Sequence, residues 1–169
     1  MANIELVDAY LCLGSNMGDR EGNLKKALEY LSQRTRLIQQ SSIYDTEPAD
    51  NPQQPRFLNM VCQVKTMLKA EDLLVLAKAI ERKQGRLPGR RNAPRPIDID
   101  ILFYGDSVVK SKDLIIPHPR LERRAFVLVP LAEIALQLVH PVSKKTVAEL
   151  LKELEKGVQG VMKLGGKKG

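Results

Sequence analysis

The chain has 169 residues, 43% hydrophobic and 28% charged, a globular balance that gives one domain with a full core and little room for a second. No stretch approaches the ~20 apolar residues of a membrane span, and the opening MANIELVDAY lacks the basic head and apolar block of a signal peptide, so the expected place is the cytoplasm. A net charge of +7 asks for an anionic partner, whether nucleic acid, a membrane surface or a phosphorylated small molecule.

Val7, Ala9, Leu11 and Leu13 alternate with more polar positions and end at Gly14-Ser15-Asn16, which predicts a first strand closed by a turn. Leu24, Ala27, Leu28 and Leu31 follow at helical spacing, with Asp19 as the cap. LIQQSSIYDTEP reads as a second strand that runs into EPADNPQQPR, a loop too broken by proline for regular structure. FLNMVCQVKTM is a third strand. EDLLVLAKAIERKQG is a second helix, with acids in its first turn, bases in its last and Gly85 as the stop. An arginine-rich loop leads into PIDIDILFYG, the fourth strand, and the remainder adds FVLVPLAEIA and a short helix around TVAELLKELE.

Strand, helix, strand, strand, helix, strand is the split βαβ, ferredoxin-like plan. The expected fold is therefore an α+β sandwich, βαββαβ, with an antiparallel sheet and C-terminal additions. Residues 1–155 form its single domain, and the Gly- and Lys-rich residues 156–169 form a mobile basic tail. Cys12 and Cys62 sit among apolar residues in strands and read as buried thiols, and His118 and His140 lie too far apart for zinc spacing.

The fourth strand carries the chemistry. Strand residues alternate faces, so Asp98 and Asp100 point one way while Ile97, Ile99 and Ile101 point the other. Two carboxylates that close repel unless a cation sits between them. The pair alone fits either a solvated edge strand or a Mg²⁺ site, since Mg²⁺ takes oxygen ligands and keeps positions open for water and phosphate. Six basic residues (Arg82, Lys83, Arg86, Arg90, Arg91 and Arg95) stand upstream with no acid among them, and Arg120, Arg123 and Arg124 follow downstream. Basic clusters on both sides of one acidic strand favour metal plus nucleotide. Neither a P-loop nor a dinucleotide glycine motif is present, so side chains and metal must hold the phosphates. Arginine suits this through its planar, permanently charged fork, and His118, fixed between Pro117 and Pro119, suits it better than His140. In QPRFLN the period of two puts Phe57 and Asn59 on one face, where ring and amide could stack a flat heterocycle and read its edge, although a phenylalanine in such a strand is more often plain core.

In sequence, LGSN, SSIYDTEP, QPRFLN, QGR, RNAPRPIDIDIL and PHPRLERRAF resemble, in order, the motifs of the 6-hydroxymethyl-7,8-dihydropterin pyrophosphokinase family, from about Tyr10 to about Pro141. The resemblance implies transfer of the terminal pyrophosphate of ATP to the hydroxymethyl oxygen of the dihydropterin, giving AMP, as a step of folate biosynthesis. It implies two Mg²⁺ ions on Asp98 and Asp100, and phosphate contacts from Arg95, His118 and Arg124. Arg86 would belong to a closing loop, with Lys78, Glu81 and Ile101 near the nucleotide. The pterin would lie between Phe57 and Phe126, beside Gly14, read by Asn59 and by backbone around Thr46. Phe57 replaces a tyrosine found in some members, Asn92 stands where relatives have tryptophan, and the loop after Gly85 is about one residue shorter.

The expected partners are ATP and the pterin, with the product passed to dihydropteroate synthase, for a monomeric enzyme without nucleic-acid or membrane partners. Two rivals share the topology. A nucleotidyltransferase-like palm would release pyrophosphate instead of AMP. A nucleic-acid-binding module would stack bases on sheet aromatics, yet the chain is 4% aromatic and carries acids on its fourth strand. The loop from Gly85 to Pro94, with its uncompensated positive charge, is expected to stay open until polyphosphate arrives.

Overall fold

A computed structural model describes residues 5–48, 53–86, 93–154 and 161–164. β1 (Val7–Ser15) leads into α1 (Arg20–Arg34), then β2 (Arg36–Gln40), β3 (Tyr44–Thr46) and β4 (Phe57–Thr66). α2 (Ala70–Lys83) and β5 (Asp98–Tyr104) follow. The C-terminal third adds a small hairpin of β6 (Val109–Lys110) and β7 (Ile115–Ile116), then α3 (Ala125–Ala135), α4 (Val147–Leu154) and β8 (Val161–Lys163). The main sheet runs β5-β1-β4-β3-β8 with β2 also on β4, and every pairing is antiparallel. With β2 and β3 counted as one interrupted strand, this is the ferredoxin-like order that the element sequence predicts.

Period-two alternation sorts the sheet into two faces. Leu11 and Leu13 of β1, Met60 and Cys62 of β4, and Ile99 and Ile101 of β5 bury against Leu24 and Leu31 of α1 and Leu73 and Ile80 of α2. Tyr10 and Cys12 face the other way, with Val61 and Phe103, and pack under Leu128 and Leu131 of α3 and Leu150 of α4. The result is a three-layer sandwich. On β5 the register slips at Tyr10/Leu11, so that Leu102 and its neighbour Phe103 both join the second core. The bulge lets one strand present carboxylates at one end of this face and close-packed hydrophobes at the other.

Helix ends follow local rules. Asp19 accepts from Gly22 N–H as the N-cap of α1, and Gly85, at φ +99°, stands just beyond α2 in a conformation that favours glycine. Thr146 and Glu149 exchange bonds in a capping box at the start of α4.

Two expectations change. The predicted second strand is two, because Ser41 Oγ accepts Val61 N–H at 2.9 Å, a hydroxyl where the ladder would have a carbonyl. The expected mobile tail does not hold for residues 161–164, since β8 pairs with β3. Arg90, Arg91, Asn92 and most of the expected open loop lie outside the described residues. Among those described, no helix is long and apolar enough to cross a membrane.

Candidate active site

α3 and α4 cover Tyr10 and Phe103 but leave the far end of the same sheet face open, and a cavity lies there. Gly14 is its centre: it pairs with Asn59 on β4 and with Asp98 on β5. A Cβ at Gly14 would collide with Asn59 Oδ1, so glycine here leaves room for the Asn59 carboxamide to lie against β1.

On the β4 side, Asn59 is buried and donates through Nδ2 to Thr46 Oγ1 at 2.6 Å. This bond holds the carboxamide at the cavity wall, with Phe57 beside it and Phe126 across. Both rings carry an arginine. Arg95 Cζ lies 5.4 Å from the Phe57 centroid, and Arg124 Cζ lies 5.3 Å from that of Phe126. Phe57 is thus half-buried cavity wall and not plain core.

On the β5 side, Asp98 and Asp100 share a face as predicted. The Asp100 carboxyl is pushed up to about 7, first by burial, then by the charges of Asp98 and Glu81. Glu81, on α2, is almost fully buried and accepts Ile99 N–H at 2.8 Å, so it fixes the strand at the residue between the two aspartates. Its own carboxyl is raised, chiefly by burial. Lys78 Nζ lies 3.5 Å from Glu81, and Arg86 Nη1 lies 3.1 Å from Glu81 and 2.5 Å from Asp98. Burial works against the Arg86 charge, but Asp98 and Glu81 outweigh it and raise its pKa. Arg95 approaches Asp98 at 3.7 Å.

Three carboxylates around one arginine make an acid-rich cluster that would accept a further cation. Among the described residues no set of three or more His, Cys, Asp and Glu gathers into a closed metal shell. A divalent ion on Asp98 and Asp100 would draw its remaining ligands from substrate and water, which is the habit of Mg²⁺.

His118 N–H donates to Leu102 O, which ties the histidine to β5, and its Nδ1 accepts Arg120 N–H at 3.2 Å. Its pKa is lowered to about 4 by burial and then by Arg124, so it is neutral at pH 7 and carries its proton on Nε2. A second groove, lined by Leu74, Ile101, Leu114 and Ile115, shares Lys78, Asp100 and His118 with the first.

Most of the sequence-predicted residues therefore converge on the cavity, while Ile101 lines only the second groove and Glu81 lines neither, buried behind Ile99, Lys78 and Arg86. Cys12, Glu47 and Gln54 also line the cavity. The period of two that pairs Gly14 with Cys12 on one face could have found the cysteine. Glu47 and Gln54 lie in the proline-broken loop, where no period operates. Cys12 is buried, with its thiol pushed well up by that burial, and His140 accepts from Val142 and Ser143 N–H through Nδ1, a structural role.

Residues 10–136 match the model of the 7,8-dihydro-6-hydroxymethylpterin-pyrophosphokinase (HPPK) family. The chain is 39% identical over 148 residues to the 2-amino-4-hydroxy-6-hydroxymethyldihydropteridine pyrophosphokinase of Aquifex aeolicus, covering 88% of this chain and 92% of that one. It is 40% identical over 146 residues to the folic acid synthesis protein fol1 of Pneumocystis carinii, where it spans 86% of its own length and only 20% of the relative's. A crystal structure of Plasmodium falciparum HPPK-DHPS superposes with a TM-score of 0.72 at 18% identity, over 88% of this chain and 45% of that chain, and shares the fold. By the matched span and by the near full-length similarity to the Aquifex protein, the chain belongs to the HPPK family.

Proposed function

We propose that the chain transfers the pyrophosphoryl group of ATP to the hydroxymethyl oxygen of 6-hydroxymethyl-7,8-dihydropterin, giving AMP and the pterin diphosphate in folate biosynthesis. The observation that carries this reading is a cavity that sets two aromatic rings and a buried amide against two carboxylates ringed by arginines. Phe57 and Phe126 stack the pterin, while Asn59 and the backbone at Thr46 read its edge. The apolar groove of Leu74, Ile101 and Leu114 takes the adenine, and Lys78 flanks the path of the phosphates, with buried Glu81 behind it as its ion-pair partner.

The hydroxymethyl oxygen attacks the β-phosphorus in line and gives up its proton to solvent, while the bond from that phosphorus to the oxygen joining it to the α-phosphorus breaks, so that AMP leaves with that oxygen and the electron pair. Such a transfer needs position and charge neutralisation more than covalent help, so no protein nucleophile is required. Asp98 and Asp100 would hold two Mg²⁺ ions, which supply charge neutralisation along the triphosphate. Arg95 and Arg124 leave their stacks on the two rings to grip phosphate, and this uncovers both pterin platforms. His118 donates from Nε2 to a phosphate oxygen while remaining neutral. Arg86 follows the charge from the carboxylates to the reacting phosphate. We further infer that the product passes to dihydropteroate synthase, in line with the joint name HPPK-DHPS of the Plasmodium chain.

Incubation with ATP, Mg²⁺ and the hydroxymethyl pterin should yield AMP. Release of pyrophosphate in its place would assign a nucleotidyltransferase. Phe57→Ala and Asn59→Ala should each weaken pterin binding by about 1–3 kcal/mol, the scale of a lost stack or an unpaired buried group, with ATP affinity little changed. Calorimetry with each ligand in turn checks this, and equal losses for both ligands would return Phe57 to a core role. Gly14→Ala should weaken pterin binding in the same selective way, because the new methyl drives Asn59 off Thr46.

A further inference from the structure

The turn that closes β1 holds a side chain with no part in the function above. Asn16 is 2% exposed. Its backbone N–H donates to Arg95 O at 3.2 Å, and its Oδ1 accepts Arg95 N–H at 2.8 Å. Nδ2 donates to Gln54 Oε1 at 3.0 Å and to Pro55 O at 3.2 Å. Every polar group of the carboxamide is engaged. One end grips the arginine-bearing segment and the other grips the proline-rich loop.

Both of these segments contribute to the wall of the cavity. Arg95 lies three residues before Asp98, while Gln54 and Pro55 lie three and two residues before Phe57, which opens its strand. Gln54, Phe57 and Arg95 all line the cavity, and the Arg95 guanidinium stacks on the Phe57 ring. Because Asn16 clamps the backbone of Arg95 on both sides of the residue, it sets where that guanidinium can reach. Because it also holds Gln54 and Pro55, it sets the same origin for the aromatic platform. Aspartate would keep the acceptor and lose both donors, and alanine would lose all three side-chain bonds.

We infer that Asn16 is a positioning residue that fixes the phosphate-gripping arginine relative to the pterin platform, an inference that rests on the function proposed above. It touches neither substrate. Its effect is on registration, for which a displacement on the order of 1 Å can cost about a hundredfold in rate.

The test compares Asn16→Asp, Asn16→Ala and Gln54→Ala with the parent chain. Asn16→Asp keeps the bond to Arg95 N–H and should bind a non-hydrolysable ATP analogue with Mg²⁺ within about twofold of the parent, while turnover falls roughly 10- to 100-fold. Pterin affinity should fall with it, since a carboxylate faces Pro55 O. Gln54→Ala, which leaves the Asn16–Arg95 pair intact, should weaken pterin binding and spare the ATP analogue. Asn16→Ala should weaken both ligands. A readout without turnover separates this idea from the reaction assignment: hydrogen exchange at Arg95 N–H in the unliganded protein should accelerate in Asn16→Ala and not in Gln54→Ala. Should Asn16 variants fail to fold, Gln54→Ala decides. Folded variants that lose melting temperature but keep turnover and both affinities within about twofold would reduce Asn16 to a structural tether. A parent chain that makes no AMP while the Arg95 exchange behaves as expected would instead overturn the reaction.

Discussion

Asp100→Asn is expected to abolish turnover and to raise the melting temperature of the metal-free protein at neutral pH. The two effects share one cause. Asp100 is buried beside Asp98 and Glu81, and burial together with their charges pushes its carboxyl from 3.8 up to about 7. A folded-state pKa raised above the unfolded value means that the native state binds the extra proton. The associated stability is present below about pH 4 and is lost as pH rises through 7. At neutral pH the metal-free fold therefore carries an unfavourable charge worth on the order of a few kcal/mol, which asparagine removes. On the proposed function the same substitution would also remove a ligand from the phosphate-neutralising ion, a loss of several kcal/mol in the transition state and about a thousandfold or more in rate.

The pH profile gives the sharper check. His118, lowered to about 4, contributes stability that is present above 6.5 and lost as pH falls through 4. In the parent chain these two trends oppose each other between about pH 4 and 6.5. Asp100→Asn removes one of them, so melting curves in chelator should show the variant's advantage growing as pH rises from 4 to 7. Asp98→Asn should be equally inactive without the gain, because Asp98 is paired with Arg86 and Arg95. An Asp100→Asn chain less stable than its parent at pH 7, or one that turns over normally, would undo the assignment.

The acidic strand shows how far the sequence reaches. Alternation alone places Asp98 and Asp100 on one face and Ile99 and Ile101 on the other, and the fold keeps that division until the bulge. The helices were equally legible, because Leu24, Ala27, Leu28 and Leu31 obey one period from a capped start. Ser41 was not, since the bond that splits the second strand is made by a side chain to a residue twenty positions away. Glu81 and Asn16 are the same kind of case. Each is polar and nearly fully buried, and each acts by bonding the backbone of a distant segment, Ile99 for one and Arg95 for the other. Periodicity reports which face a residue takes, not which orphaned N–H it satisfies. β8 escaped for a related reason: as an edge strand it needs only main-chain partners on β3, and its exposed Met162 leaves no apolar alternation to read.

Arg86→Ala should lower the rate of the chemical step at least about a hundredfold, the scale of one lost transition-state donor, while ATP and pterin affinities change little. Arg86 is the counter-ion of Asp98 and Glu81. If Asp98 holds a metal ion as proposed above, Arg86 must leave it first, and the pair competes with loading of the site. Removing the side chain relieves this competition, and half-maximal binding of the ATP analogue should then need no more Mg²⁺ than in the parent, and preferably less. Binding thus gains on one side what it loses on the other. The reacting complex has no such offset, because charge developing on the transferred phosphoryl oxygens loses a donor that follows Gly85, just beyond the last turn of α2. Single-turnover kinetics set against calorimetry at several Mg²⁺ concentrations separate the two. Parallel losses of affinity and rate would make Arg86 an ordinary phosphate ligand, and a raised Mg²⁺ requirement would mean that its pairing with Asp98 shapes the metal site in place of competing for it.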